Sequence, residues 1–199
     1  MRIKLLAAAI VATFGMAGSA AAQSTGMPVF EAPYRAFKSH ELGASLSDPG
    51  PGWGLEGFYR YGVNKFDVGF RLGIADAPVT DTRLLAGVDV RTRILSASSS
   101  FPLDGALTLG LGGDFGSNTV GYLPIGLSLG RRVLLEGSST SFIPYVHPVL
   151  TPTFGDNAGD VLFTLGLGVD IAFNKAFDLR LNGGIGDLDG VSISVAWIR

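Results

Sequence analysis

The sequence predicts an all-β fold: a closed antiparallel up-and-down transmembrane β-barrel of ten strands, with eight strands as the alternative. Two observations lead to this prediction. Apolar residues alternate with small or charged residues along most of the chain, which is the period of a β-strand with one apolar face. The opposite face is rich in glycine and charged side chains, a composition that suits the polar interior of a membrane barrel better than a dry protein core.

The composition restricts the chain to one domain and excludes several kinds of function. The 199 residues are enough for one β domain and too few for two. No apolar run after the N-terminus reaches the length of a membrane helix, about 20 residues. The absence of cysteine excludes disulfides, thiolate metal sites and cysteine nucleophiles. A net charge of −2, without a basic stripe, argues against nucleic acid as a partner.

The chain divides into three parts. Residues 1–22 have a basic start, an apolar stretch and alanines at 20–22, and these features predict a signal peptide that is cut before Gln23. Residues 23–37 contain two prolines and no clean period, which predicts an N-terminal periplasmic tail that could enter the lumen. Residues 38–199 form the predicted barrel.

The alternation is clearest near the C-terminus. From Val161 to Phe173 every odd-numbered residue is apolar, and the even-numbered residues from Thr164 to Asp170 are small or polar. The same pattern resumes after each of two short turns. Applied along the whole chain, this criterion predicts strands at 40–46, 53–63, 66–75, 83–94, 105–115, 120–131, 142–152, 161–173, 177–186 and 190–198.

The eight-strand alternative requires that two of these segments are not strands. The candidates are 40–46, which is short, and 142–152, which contains Pro144 and Pro148. Each proline lacks a backbone N–H and therefore removes one donor from the ladder. An even number of strands, in either case, returns both ends of the barrel to the same side.

The charged side chains fall on the inward face of nearly every strand. In 66–75, for example, Phe66 and Val68 point outward while Asp67 and Arg71 point inward. A slip of one residue would move these charges into lipid, at a cost of about 2–4 kcal/mol for each arginine at the midplane, so the register is strongly specified. The predicted lumen charge network consists of Glu41, Glu56, Arg60, Asp67, Arg71, Asp89, Arg91, Arg93, Asp170, Asp178 and Arg180.

This network has two interpretations. Charges inside a protein persist when they are paired, and arginine suits bidentate carboxylate partners, so we interpret it as a structural network of ion pairs. The alternative is that some of the charges line a narrow pore and set its ion preference. The many inward glycines leave free volume for such a pore.

Aromatic residues lie near the predicted strand ends, where the two aromatic girdles of a membrane barrel are expected. Soluble β-sandwich cores also contain aromatic residues, but they do not explain the charged face of each strand. The predicted girdle residues are Trp53, Phe115 and Phe163 at one end, and Tyr61, Phe66, Phe173, Phe177 and Trp197 at the other.

The signal peptide, the alternating strands and the final segment GVSISVAWIR together resemble the small outer-membrane β-barrel proteins of Gram-negative bacteria. The resemblance covers residues 38–199 and concerns architecture rather than activity. It implies export to the cell outer membrane, insertion by the barrel-assembly machinery, and contact with outer-membrane lipid and lipopolysaccharide.

No motif in the sequence indicates catalysis, a metal or a cofactor. The G-x-S-x-G pattern at 126–130 lies within a predicted strand, whereas hydrolases place it at a strand–turn–helix elbow. His40 and His147 are the only histidines, so any acid–base site would need one of them. The acidic loops near 156–160 and 187–189 do not have EF-hand spacing.

The sequence therefore favours a structural or interaction barrel whose lumen is filled by side chains and ion pairs. Two alternatives remain. One is a narrow passive pore for ions or small solutes, and the other is an outer-membrane enzyme that modifies lipid or peptide and is built around His147.

Overall fold

The computed structural model describes residues 24–34, 39–50, 52–77, 80–156, 158–174 and 176–199, and the predicted signal peptide lies outside these ranges. Among the described residues, no helix is long and apolar enough to cross a membrane. The strands are β1 His40–Asp48, β2 Trp53–Val63, β3 Phe66–Ala77, β4 Thr80–Leu95, β5 Asp104–Phe115, β6 Val120–Tyr122, β7 Ile125–Gly130, β8 Val133–Leu134, β9 Ser141–Gly155, β10 Val161–Ala172, β11 Phe177–Gly186 and β12 Gly190–Ile198.

These strands form one closed antiparallel sheet in sequence order. The last strand returns to the first, and β12 pairs with β1 from Ile198 opposite Glu41 to Val191 opposite Asp48. Closure removes the unpaired edges that an open sheet would expose. Ten strand positions surround the lumen, so the predicted all-β class and ten-strand antiparallel barrel are confirmed. The eight-strand alternative is wrong, because 40–46 and 142–152 both lie in strands.

The predicted strand 120–131 is one barrel position that is interrupted twice. β6, β7 and β8 all pair with β9 in the same register, without a shift between them. The first interruption is at Leu123 and Pro124, because proline has no N–H to donate. The ladder is bridged there by Leu123 N, which donates to Pro152 O at 3.0 Å, and by Gly110 N, which donates to Pro124 O at 2.8 Å.

Strand β9 accommodates three prolines in one barrel position. Pro144, Pro148 and Pro152 are spaced four residues apart along β9. Their side chains therefore share one face of the strand, and their backbone nitrogens point toward the same neighbouring strand. β9 pairs without interruption with β10, whereas its pairing with β7 is broken between Val146 and Val149. The missing donors are therefore confined to the side of β9 that faces β7.

The outer face of the barrel is apolar and ends in aromatic residues. We call the end where β1 begins and β12 finishes the terminal end, and the opposite end the far end. Mid-wall side chains such as Leu72, Leu109 and Val195 are exposed. The predicted girdle residues are all exposed, with Trp53, Phe115 and Phe163 at the far end and Tyr61, Phe66, Phe173, Phe177 and Trp197 at the terminal end.

Residues 24–34, which we call the lumen segment, lie inside the barrel and belong to no strand. Phe30 and Ala32 pack in a buried cluster with wall residues that include Tyr145. Met27 and Val29 pack in a second buried cluster on the wall residues Ala75 and Leu85. The lumen segment therefore forms part of the buried apolar core.

The closure of the barrel can be tested by a disulfide, because the natural chain has no cysteine. Ser45 and Ser194 are directly opposite on β1 and β12, and their Oγ atoms are 2.8 Å apart. We expect the variant Ser45→Cys/Ser194→Cys to form a disulfide under oxidising conditions once it is folded, because cross-strand partners meet the required separation. Mass spectrometry of proteolytic fragments detects the link.

The matched control is Ser45→Cys/Ser192→Cys, which places the second cysteine on the same inward face but two residues out of register. Equal cross-linking of the two variants, or no cross-linking of the first, would contradict the register at the closing strands.

Candidate functional site: the barrel lumen

Inward glycines form the surface on which the lumen segment rests. We use the term glycine floor for Gly54, Gly87, Gly112, Gly166, Gly184 and Gly190. A Cβ on Gly166 would overlap the ring of Phe30, and one on Gly87 would overlap the hydroxyl of Ser24. Glycine is the residue that allows so close an approach. The lumen segment therefore occupies the volume above the glycine floor, whereas other inward glycines, such as Gly69 and Gly126, face wall side chains.

Side chains of the wall hold the backbone of the lumen segment by donating to its carbonyl oxygens. Such donors satisfy buried backbone groups that have no strand partner. The four hydrogen bonds run from Arg91 to Ala32 O at 2.6 Å, from Tyr145 to Phe30 O at 3.0 Å, from Ser128 to Glu31 O at 2.5 Å, and from Ser192 to Pro28 O at 2.9 Å.

His147 points into the lumen and is also used to hold the segment. Its Nδ1 accepts a hydrogen bond from the backbone N–H of Glu31 at 3.3 Å, so the ring proton is on Nε2. Nε2 is 2.8 Å from the hydroxyl of Thr108, and the ring packs edge-on against Phe30. Both ring nitrogens are occupied and the side chain is buried, so His147 is placed as a structural partner of the lumen segment.

Arg60 joins the lumen segment to the wall by ion pairs. Its guanidinium contacts the carboxylates of Glu31 from the segment, Asp67 from β3 and Asp89 from β4. Arg91 adds a contact of 3.1 Å to Asp67. Two guanidinium groups, those of Arg60 and Arg91, therefore face the carboxylate of Glu31, and their positive charge favours its ionised form.

A second cluster lies around Arg180 in the terminal half of the lumen. Arg180 makes a bidentate contact with Glu41, with N–O distances of 2.9 and 2.5 Å. The carboxylates of Asp170 and Asp178 are 3.5 and 3.7 Å from the same guanidinium. One arginine therefore serves three buried carboxylates.

Farther from the terminal end, the lumen contains one more pair and an aromatic ring. Arg71 is 3.6 Å from Glu56 on the neighbouring strand. The inward ring of Phe58 lies near two guanidinium groups, with Arg71 at 5.4 Å and Arg180 at 5.7 Å from its centroid. Such cation–π contacts stabilise arginines that have few hydrogen-bond partners.

Arg93 differs from the rest of the predicted network in its position. Its side chain is half exposed at the terminal end and pairs with Asp104 at the start of β5. Tyr34, at the end of the lumen segment, donates to the same Asp104, and its ring lies beneath the guanidiniums of Arg93 and Arg132. This group holds the end of the lumen segment at the terminal end of the lumen.

The structure brings together ten of the eleven predicted charges in the depth of the lumen, and it adds residues that the sequence pattern did not indicate. Glu31 and Tyr34 come from a segment without alternation, so no periodicity pointed to them. Asp104 was placed one residue before a predicted strand, and Asp114 pairs with Arg83 at the far end. The only signal for the segment was its content of apolar residues between two prolines.

The deep lumen has more carboxylates than guanidinium groups. Seven carboxylates face four arginines, which leaves an excess of three negative charges if every group is ionised. The carboxylates are Glu31, Glu41, Glu56, Asp67, Asp89, Asp170 and Asp178, and the arginines are Arg60, Arg71, Arg91 and Arg180.

Two small cavities lie beside the lumen segment. Both cavities have a volume of about 10 Å³ and adjoin Glu31 and Asp89, one on the side of Arg60 and one on the side of Pro124. A volume of this size holds about one water molecule. Among the described residues, no group of three or more histidine, aspartate or glutamate side chains is arranged to hold a metal ion.

Comparison with known proteins bears on the fold. The β domain of the Bordetella autotransporter BrkA superposes with a TM-score of 0.50 at 14% identity, over 80% of this chain and 98% of that one. A bacterial polysaccharide outer membrane secretin superposes with a TM-score of 0.42 at 16% identity, over 74% of this chain and 57% of that one, so this chain spans less than two thirds of its length. The likeness to the autotransporter β domain is one of fold.

No family model and no curated protein matches the sequence, so membership of the small outer-membrane barrels stays a prediction.

The role of Arg60 can be measured as a loss of stability. Arg60→Met removes the partner of three buried carboxylates, and we expect it to lower the free energy of unfolding by about 3–5 kcal/mol, as is typical when one member of a buried charge pair is removed. Urea titration of the refolded barrel, followed on gels by the mobility of unheated samples, measures the change.

Arg93→Met is the matched control. It removes one half-exposed ion pair, so the expected loss is below about 1 kcal/mol. Similar losses for both variants would contradict a special role for Arg60.

Proposed function

We propose that this chain is an outer-membrane β-barrel with a structural or interaction role, whose lumen is closed by the lumen segment and the ion pairs around it. Strands of the observed length suit a membrane, because a tilted membrane strand needs about 9–11 residues. The exposed apolar belt between two aromatic girdles supports contact with lipid, since a water-soluble protein rarely exposes so large an apolar surface.

The observation that carries the closed lumen is the path of the lumen segment. Tyr34 lies near Asp104 at the terminal end, and Pro28 lies beside Gly190 at the far end. The segment therefore occupies the lumen along its length. The ion pairs fill the space between the segment and the wall, which supports a closed barrel over an open passive pore.

The positions of His147 and Ser128 support a role without catalysis. The hydroxyl of Ser128 donates to the carbonyl of Glu31, and both nitrogens of His147 contact the lumen segment or Thr108. Nε2 of His147 carries the ring proton and therefore cannot take a proton from the Thr108 hydroxyl. Ser128 uses its own proton on the Glu31 carbonyl, so neither side chain is arranged to activate a nucleophile. Altered lipid A or peptide products that disappear in His147→Ala would contradict this part of the proposal.

The proposed orientation places the terminal end in the periplasm, where both ends of an even-stranded barrel are expected. The far end then faces outward with its acidic side chains, which include Asp48, Asp156, Asp187 and Asp189. Divalent cations that bridge these carboxylates to lipopolysaccharide phosphates are the expected outer contact, and the barrel-assembly machinery is the expected partner during insertion.

If the membrane barrel is closed, the protein should not conduct ions in planar bilayers. Purified full-length protein, folded in detergent as judged by heat-dependent gel mobility, is added to a bilayer, and we expect no discrete conductance steps because the lumen segment fills the lumen. An open general porin prepared in the same detergent is the positive control.

Steady conductance steps from the full-length protein would overturn the closed lumen. Recovery of the mature protein in the soluble periplasmic fraction without detergent would overturn the membrane location.

A further inference from the structure

The wall of the barrel is complete without the lumen segment. All ten strand positions pair with their neighbours around the full circle, and residues 24–34 belong to none of them. The segment is held by hydrogen bonds from wall side chains, by packing and by Glu31. Displacement of the segment therefore breaks no backbone ladder of the barrel wall.

We propose that the lumen is a cation pathway that residues 24–34 block, so that the barrel conducts cations when this segment is displaced. This inference rests on the proposed membrane barrel only in that the wall must span a membrane. It adds an activity that the closed structure does not display.

The space that displacement would open is lined by glycine. Phe30 covers Gly166 and Gly184, Met27 covers Gly54, and Ser24 covers Gly87 and Gly112. None of these glycines has a side chain that could fill the space after the segment leaves. The opening would therefore follow the path of the segment, over the glycine floor from the far end and on to the place of Tyr34 at the terminal end.

The charge of the emptied lumen would favour cations. Displacement removes Glu31 and leaves six wall carboxylates against four arginines. Asp170 and Asp178 share Arg180 with Glu41, so three carboxylates face one guanidinium in this part of the lumen. Excess charge of one sign on a narrow, low-dielectric wall attracts counter-ions and repels ions of the same sign.

The attachment of the segment predicts the side from which it blocks. Tyr34 contacts Asp104 and the backbone N–H of Arg132 at the terminal end, and the chain continues to β1 at that same end. A free peptide with the same sequence should therefore reach its position in the lumen from the terminal end.

The experiment compares the full-length protein with a variant that lacks residues 24–34, both refolded in detergent and checked by heat-dependent mobility. In planar bilayers with a KCl gradient, we expect discrete steps from the deletion variant and a reversal potential that shows a several-fold preference for potassium over chloride. Asp170→Asn/Asp178→Asn in the deletion background should reduce this preference.

A synthetic peptide of residues 24–34 should close the deletion variant when added on the terminal side. The control peptide carries Phe30→Ala and Glu31→Gln, which remove the ring on the glycine floor and the charge that pairs with Arg60. We expect it to block at least several-fold more weakly at the same concentration.

A second variant keeps the whole chain in case the deletion variant does not fold. Gly166→Val places a side chain where Phe30 lies, so it should displace the segment and produce conductance steps. Gly57→Val is the matched control, because Gly57 is exposed on the outer face and a Cβ there meets only backbone oxygens at 3.9 and 4.0 Å.

The outcomes separate the two proposals. Conductance from the full-length protein overturns the closed barrel. If neither the full-length protein nor a folded Gly166→Val variant conducts ions, the cation pathway is overturned and the closed barrel is retained. Steps that prefer chloride also overturn the cation pathway.

Discussion

The buried guanidinium of Arg60 is the interaction on which the rest of the lumen depends. It contacts one carboxylate from the lumen segment and two from neighbouring strands, so it ties three parts of the chain together. A buried charge is stable only with partners; Arg60 is the partner of all three carboxylates, and Arg91 is a second partner of Asp67. Glu31 thus fixes the lumen segment at the depth where the wall has a guanidinium to receive it. The ion pair therefore fixes the depth of the lumen segment, and packing of its side chains fills the space around it.

The lumen segment packs on the wall because large side chains of the segment meet small residues of the wall. The wall presents glycine where the segment presents its large side chains, most clearly where Phe30 covers Gly166 and Gly184. In most proteins the largest apolar surface faces the core, but here it faces outward on the strands and the small buried core is built around the segment. An inward face of glycine and charge alone could not exclude water. The segment supplies apolar groups that pack on the inward apolar side chains of the wall, such as Leu85 and Tyr145.

The alternation of apolar and polar residues predicted the ten strands and the face of each charge, because a period of two is a local property of the chain. The alternation predicted strand continuity and contacts less well at prolines and in segments that do not follow a period of two. Pro124 divides a predicted strand in two, and the prolines of β9 are tolerated because their missing donors all face one neighbour. Glu31 could not be predicted as a partner of Arg60, since it lies in a segment without alternation and the contact depends on closure of the whole barrel. Arg93 was predicted with the deep charges, but its partner Asp104 lies at the terminal end.

The most direct test of a filled lumen is a cross-link between the segment and the wall. Met27 Cγ lies 3.4 Å from the position of a Cβ on Gly54, so the variant Met27→Cys/Gly54→Cys should form a disulfide in the folded, membrane-inserted protein. The pair Met27→Cys/Gly57→Cys, with the second cysteine on the outer face, should not. If the first pair stays reduced under conditions that oxidise the Ser45→Cys/Ser194→Cys pair, the segment does not occupy the lumen and the account is wrong.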